Sequence, residues 1–598
     1  MKELAYRLKG QPISIHVVES ERDLPAFAEW IRRQKIAGFD TETTGLDWWN
    51  ADRGFRVRLA QFGNGSETWV IPVELGPVFT EAVRSALCRL EWLVAHNGTF
   101  DLHAVEACLG LPMEELAPKM WDTAKLAHLV DPRAVKERGP GLKLEELVKF
   151  YIDQGAAEEV KGSMTSIAKR YKTTKEKIWA LVELFDDEYL LYAGMDPAWA
   201  YRLFQILYRL VPWRSKEHGL IGWEHRLAHV TAKMERTGYL IDVEYAEKRC
   251  AELSVDQEKW SNVAKSFGVE NPNSGAQLVE AFQDLGITLT KKTAKGQLAM
   301  DDDVLSKLHH PMADAVIKSR KAGKWRKTWF ERALNGRDSQ DRVHASINSL
   351  QARTSRMSIS GSIPAQTFPS GDGYVRHTFL ADEGHVTATV DFANMELRYL
   401  AAFSRDPTML RAFLDGDDLH QITADAAGVG RKVGKMANFL TVFGGGWAAL
   451  MEQGNVDEET ARRVLQAFNE TYPGVGAFGK RLADEAKRTG YVWTATGRRL
   501  PVDPGKWFRA LNYFIQGGSR DVTARAILEL DRAGFTPYMR LPIHDEIVFS
   551  FPEKEAVEMA REAARIMAFP VQGLLIPADA EIGSRSWGSV LELEESKH

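Results

Sequence analysis

The stretch LPIHDEIVFSF, residues 541–551, carries two adjacent carboxylates, Asp545 and Glu546, directly after His544. Apolar Leu541, Ile543, Ile547, Val548, Phe549 and Phe551 flank them in a pattern that reads strand, tight turn, strand. Two carboxylates at the tip of a packed hairpin repel each other unless a cation sits beside them, so the tip reads as half of a metal site. An ordinary hairpin with a polar turn fits the same residues. The other half lies upstream in HVTATVDFANMELRYLAAFS, residues 385–404, where a β-branched run ends at Asp391 and helical spacing begins with Met395, Leu397, Leu400 and Phe403. Carboxylates from two such segments could hold two divalent ions roughly 3.5–4 Å apart, the arrangement used for in-line phosphoryl transfer. Hard oxygen donors facing phosphates suit magnesium.

Between them lies RKVGKMANFLTVFGGG, residues 431–446. Arg431, Lys435, Phe439 and Phe443 are spaced four apart and share one face of a helix. Cations followed by rings suit a nucleoside triphosphate, with charge for the phosphates and a ring for the base. An amphipathic helix with buried rings and solvated cations is the alternative.

A second acidic set lies near the N-terminus. In IAGFDTETTGLD, residues 36–47, Asp40 and Glu42 are two apart at the end of a strand and point to one side. Asp101 falls where LVAHNGTFDLHAV passes from strand to helix, and Tyr192 and Asp196 are four apart on a helical face of LLYAGMDPAWAYRL. Each is weak alone, because acidic residues are mostly solvated. Residues 132–188 read as charged helices with an apolar inner face and no chemistry.

The order VDFANMELR, DLHQITADAAG, RKVGKMANF, IHDEIVF resembles motifs A, B and C of the bacterial DNA polymerase I family, family A. The N-terminal acids resemble the DEDDy-type 3′–5′ exonuclease that precedes the polymerase in that family. The resemblance implies a multidomain α/β (α+β) chain, with an RNase H-like exonuclease domain over 1–211 and a right-hand polymerase domain over 212–598. Within the latter the thumb is expected near 232–335, the palm near 336–404 and 517–598, and the fingers near 405–516.

Residue by residue, the resemblance makes Asp40, Glu42, Asp101 and Asp196 ligands of two metal ions, and gives Tyr192 the attacking water. Leu46, Asn97 and Phe100 match positions that hold the 3′-terminal nucleotide. In the palm it implies two magnesium ions on Asp391 and Asp545, with manganese as a substitute and Glu546 as an outer ligand. Arg431, Lys435 and His420 match the residues that hold the triphosphate, and Lys435 the proton donor to pyrophosphate. Phe439 would stack on the incoming base, and Glu396 would crowd the 2′ position against ribonucleotides. Arg356, Asn512 and Gln516 match minor-groove contacts, and His544 lies by the primer terminus.

Four positions depart from the family pattern. Ser355 replaces a glycine, a small change; Leu440 replaces another, adding bulk where the template passes. Phe443 stands for a tyrosine, and Phe508 for an arginine, with Arg509 one place along.

The expected function is template-directed DNA synthesis with 3′–5′ proofreading in DNA replication. Its partners would be primer–template DNA and dNTPs; the chain would act as a monomer, and no processivity factor is identified. A nuclease whose C-terminal half only binds DNA, and a non-catalytic replication scaffold, are the competing readings. Primer extension run beside 3′ degradation separates all three.

The bounds agree with a large soluble protein. A chain of 598 residues with 44% hydrophobic and 27% charged content needs several domains. Lys+Arg 77 against Asp+Glu 82 gives −5, so a DNA track must come from local clusters such as Lys291, Lys292 and Lys295, or KSRKAGKWRKTW at 318–329. Solvated faces are the usual meaning of such runs. Cys88, Cys108 and Cys250 lack disulfide or metal spacing, which fits a reducing compartment. With no signal peptide and no apolar run near ~18 residues, a cytoplasmic protein of a bacterium or phage-infected host is expected, with no membrane partner. The resemblance begins near residue 12, so no 5′-nuclease domain is expected ahead of it, as in phage-type members.

Overall fold

The computed structural model describes residues 1–293, 295–369 and 373–595. The N-terminal half is built on a seven-stranded sheet of β1 (Lys2–Leu8), β2 (Gln11–Val17), β3 (Ile36–Thr43), β4 (Val57–Gly63), β5 (Glu67–Pro72), β6 (Trp92–Ala95) and β7 (Met120–Asp122). The spatial order is β1-β2-β5-β4-β3-β6-β7, with β3 antiparallel to β4 and parallel to β6. Both faces of β3 are covered, as its apolar residues require. Helix α1 (Thr99–Leu109) follows β6, while α3 (Asp187–Leu210) packs over the sheet and α2 (Gln154–Arg170) packs against α3. Asp186 caps α3 by accepting from the backbone N–H groups of Glu188 and Tyr189. At Gly38 a Cβ would collide with the Pro197 carbonyl oxygen, so glycine lets α3 lie directly against β3. That approach brings Asp196 to Asp40 and Glu42.

Helix α4 (Leu220–Thr237) leads into the C-terminal half, where α5 (Val243–Lys265) packs along α6 (Pro311–Trp325). The second functional sheet is antiparallel throughout: β8 (His385–Phe392), β9 (Met539–Ile543), β10 (Glu546–Pro552) and β11 (Ala578–Ile582), in the order β9-β10-β8-β11. Around it lie α7 (Met395–Ser404), α8 (Leu419–Ala427), α9 (Arg431–Val442) and the long α10 (Arg509–Arg532). Separate apolar cores serve the N-terminal sheet, the 264–316 region, the helices around α9, and the C-terminal sheet. Several cores in one chain are what its length demands.

Of the boundaries drawn from the sequence, those near 212, 336 and 405 fall between elements. Two do not: position 232 lies inside α4, and the break at 516/517 cuts α10, which runs unbroken through it.

Some members of the two basic clusters have partners within the chain. Lys291 pairs with Asp301 and Asp303 at 3.2 and 3.0 Å, and Arg320 donates to the carbonyls of Pro272 and Met300 at 2.8 and 2.6 Å. Lys318 and Lys321 lie over the rings of Trp260 and Trp325. Among the described residues, no helix is long and apolar enough to cross a membrane.

Candidate active sites

Strand alternation puts Asp40 and Glu42 on one face of β3, and the i,i+4 spacing on α3 stacks Tyr192 above Asp196. Ligand oxygens of Asp40, Glu42 and Asp196 all lie within 4.8 Å of one another. Glu42 and Asp196 are buried, and burial drives the carboxyls of Asp40 and Glu42 well above the usual range, with repulsion among the acids adding to it. Asp101 stands at the head of α1, where its Oδ1 accepts from Thr41 Oγ1 at 2.7 Å; burial pushes it up to about 7. The four expected ligands are therefore a close triad with a fourth carboxylate alongside. A cluster of buried oxygen donors short of positive charge is a fitting cradle for a divalent cation.

One cation does reach it. Lys161 on α2 places its Nζ 2.7 Å from both oxygens of Asp196 and 3.9 Å from the centre of the Tyr192 ring. The sequence reading gave this helix no chemistry, because a lysine in a Lys/Glu-rich run carries no motif. The adjoining cavity, of about 1140 Å³, is lined by Asp40, Leu46, Asn97, Phe100 and Asp101. Its far wall comes from the C-terminal half, including Lys327 and Arg332. Leu46 is 74% exposed at its rim, and Asn97 holds a left-handed φ of 59° while its N–H donates to Asp122.

In the C-terminal sheet, register sets Asp391 opposite Glu546 on β10 and opposite Asp579 on β11. His544, at φ 57°, turns the chain between β9 and β10, and Phe392 N–H donates to the Asp545 carbonyl, tying the hairpin tip to the end of β8. Burial first, then Asp545 and Glu546, push Asp391 up to about 8; burial also raises Asp545. Asp579 was missed, since its place beside Asp391 depends on which strand pairs with β8.

A cavity of about 330 Å³ brings Arg356, Glu396, Phe439, His544 and Asp545 together, with Arg520 and Thr523 behind them. Arg356 is ion-paired to Glu396, and Arg431 to Asp418. Lys435 is exposed on α9, while the Phe439 and Phe443 rings stack at 6.3 Å and 14°. His420 is buried, its Nδ1 2.9 Å from Asn438 Nδ2 and its ring 5.8 Å from Phe439; burial lowers its pKa. Asn512 and Gln516 lie one turn apart on α10, outside the cavity lining. Gln516 accepts from Thr354 Oγ1 at 3.0 Å, and Asn512 Oδ1 has no hydrogen-bond partner among the described residues.

The departures resolve unevenly. Leu440 turns into the small apolar core of Val433, Met436, Trp447 and Leu450, so its bulk goes away from the Phe439 face expected to border the template. Phe508 is exposed and covers Gly444, where φ is 74° and a Cβ would meet the ring at 2.9 Å. Ser355 is no small change: it is fully buried at φ 68°, with an Oγ lacking a partner. Left-handed backbone costs a non-glycine residue about 1–2 kcal/mol, offset in part by the extra unfolded-state freedom of glycine. Ser355→Gly should therefore raise stability by about 1 kcal/mol, read as a higher urea midpoint at unchanged m. A lower midpoint would show that the buried hydroxyl is bonded in solution.

The comparisons with known proteins converge. The 3′–5′ exonuclease family model matches residues 15–212, and the DNA polymerase family A model matches residues 243–589. The chain is 47% identical over 595 residues to a DNA polymerase of Mycobacterium phage L5, covering 99% of each. It is 45% identical over 609 residues to a DNA polymerase of Mycobacterium phage D29, again covering 99% of each. DNA polymerase I of Treponema pallidum is 28% identical over 557 residues, covering 86% of this chain and 53% of the relative. A solved structure, the POL domain of Pol1 from M. smegmatis in complex with DNA primer-template and dNTP, shares the fold at TM-score 0.74 and 22% identity, covering 96% of this chain and 100% of that one.

Proposed function

Since the chain belongs to DNA polymerase family A and carries a 3′–5′ exonuclease domain ahead of the polymerase, we propose that its two acidic sites are the two active centres of one proofreading enzyme. The protein is a template-directed DNA polymerase with 3′–5′ exonuclease activity. The observation that carries the two-site reading is the separation of the acids. Asp40, Glu42 and Asp196 gather on the N-terminal sheet, while Asp391 and Asp545 meet at the C-terminal one beside a cavity holding Glu396, Arg356 and Phe439. We assign the exonuclease to 1–211 and the polymerase to 212–598.

Both carboxylate sets fit pairs of magnesium ions, or manganese in their place, which when bound lower the pKa of the attacking hydroxyl and neutralise phosphate charge. The protein's own groups do the rest. Arg431 and Lys435, on the exposed face of α9, take the triphosphate, and Arg431 leaves Asp418 to do so. Phe439 stacks on the incoming base, and Lys435 gives a proton to the departing pyrophosphate. Glu396 closes the cavity at the sugar 2′ position, and Arg356 exchanges Glu396 for the minor groove at the primer terminus, beside His544. Asn512, with its unpartnered Oδ1, and Gln516 read the nascent pair. In the other site Tyr192 orients the water while Leu46, Asn97 and Phe100 hold the terminal nucleotide. The substrates are primer–template DNA and dNTPs, and three free cysteines support a reducing, cytoplasmic setting.

The test is a recessed primer–template with the intact protein. Extension with dNTPs and 3′–5′ degradation without them, both stopped by a chelator and restored by Mg2+, are the expected results. Degradation without extension at any dNTP concentration would leave only a nuclease.

A further inference from the structure

Lys161 is the group in the exonuclease site that the reading above does not use. Its ammonium is bound to both oxygens of Asp196 at 2.7 Å, with 13% and 8% of the two side chains exposed. It also lies over two rings, Tyr192 at 3.9 Å and Trp199 at 5.6 Å. Its charge favours the ionised forms of Asp40 and Glu42 as well. A lysine so placed supplies positive charge where a divalent ion would supply it: against Asp196, at the edge of the carboxylate cluster and away from water, where opposite charges interact strongly.

We infer that Lys161 is an internal cation that competes with the divalent ion for Asp196. It holds Asp196 and Tyr192 in the ion-free enzyme and gives Asp196 up when the ion binds. The inference rests on reading Asp40, Glu42 and Asp196 as ligands. Both Asp196 oxygens are engaged by one ammonium, so an ion that takes either oxygen must weaken that bond and meet a like charge beside it. The same displacement lifts the ammonium from the Tyr192 ring. Ion loading and release of the tyrosine from its lysine partner are then one event, and Lys161 acts as a positioning residue whose removal favours the loaded state.

The experiment measures Mn2+ binding by the EPR signal of the free ion, in an Asp545→Ala background that removes the polymerase-site ligand. Lys161→Met and Lys161→Gln should each tighten Mn2+ binding by at least about fivefold, the scale of an ordinary coupling between two sites. They should also lower the melting temperature in EDTA more than in Mn2+, because the ion-free cluster loses its counter-charge. In the otherwise native chain both variants should still extend primers, which reports a folded enzyme. Unchanged or weaker Mn2+ binding in extension-competent variants would overturn the inference and leave a structural ion pair. Asp40→Ala is the separate control: if it fails to weaken Mn2+ binding in the same background, the ligand assignment itself is wrong.

Discussion

Asp391→Ala should reduce primer extension by about 10³-fold or more, on the order of 4 kcal/mol in the barrier, while 3′–5′ degradation continues. Asp40→Ala should do the reverse. Asp391 is the acid on which the C-terminal site converges: β10 presents Glu546 across from it, β11 presents Asp579, and the hairpin tip brings Asp545. Directly paired residues on neighbouring strands share a face, so Glu546 and Asp579 remain near a vacated position 391. They can keep some negative charge there. They cannot restore a carboxylate at the end of β8 itself, and phosphoryl transfer depends on ion placement more than on total charge. Selectivity follows from architecture, because Asp40 belongs to a different sheet with its own apolar core. Single-turnover extension and degradation on one labelled substrate would give both rates. Extension by Asp391→Ala within tenfold of the parent would remove Asp391 from the catalytic set.

The placement of the candidate residues was legible where it is set locally. Asp391 at the end of a β-branched run, the His544-Asp545-Glu546 turn, the four-residue rhythm from Arg431 to Phe443, and the pair Tyr192/Asp196 each depend on one element's own period. Short-range periodicity survives in a bare sequence. What escaped was whatever needs a partner from elsewhere. Asp579 matters only because β11 pairs with β8, and Lys161 only because α2 packs against α3. Leu440 was read by its size, but its direction is set by Val433, Met436 and Trp447. Ser355 was read by composition, but a backbone φ of 68° decides its cost. The carboxylate partners of Lys291, Asp301 and Asp303, likewise lie ten and twelve residues away in the chain.

The largest unread feature is a buried ionic knot, and it yields the strongest stability prediction. Glu224 on α4 accepts from Arg498 at 2.5 Å and from Arg520 at 2.6 and 2.7 Å, while Asp521 accepts from the same two guanidinium groups at 2.7 and 3.1 Å. All four side chains are at most 2% exposed, and Arg520 also donates to the Ser349 carbonyl. Two acids balance two arginines, and the knot joins α4, which follows the N-terminal half, to α10 beside the cavity of Glu396 and Asp545. Glu224→Ala would leave two buried guanidinium groups sharing Asp521, at a cost of about 3–5 kcal/mol, because breaking such a pair strands a charge away from water. Burial alone would push the Glu224 carboxyl up from its ordinary 4.5, but Arg520 and Arg498 outweigh it and hold it at about 2. A carboxyl depressed in the folded state contributes stability above its unfolded pKa and loses it as pH falls toward the folded one. The parent should therefore lose this contribution between about pH 4.5 and pH 2. Glu224→Ala should start less stable and show a shallower loss across that window. Urea unfolding at neutral pH and at pH 4 would test both. A variant as stable as the parent at neutral pH would mean that water reaches the two arginines, and that the joint between α4 and α10 is held by apolar packing alone.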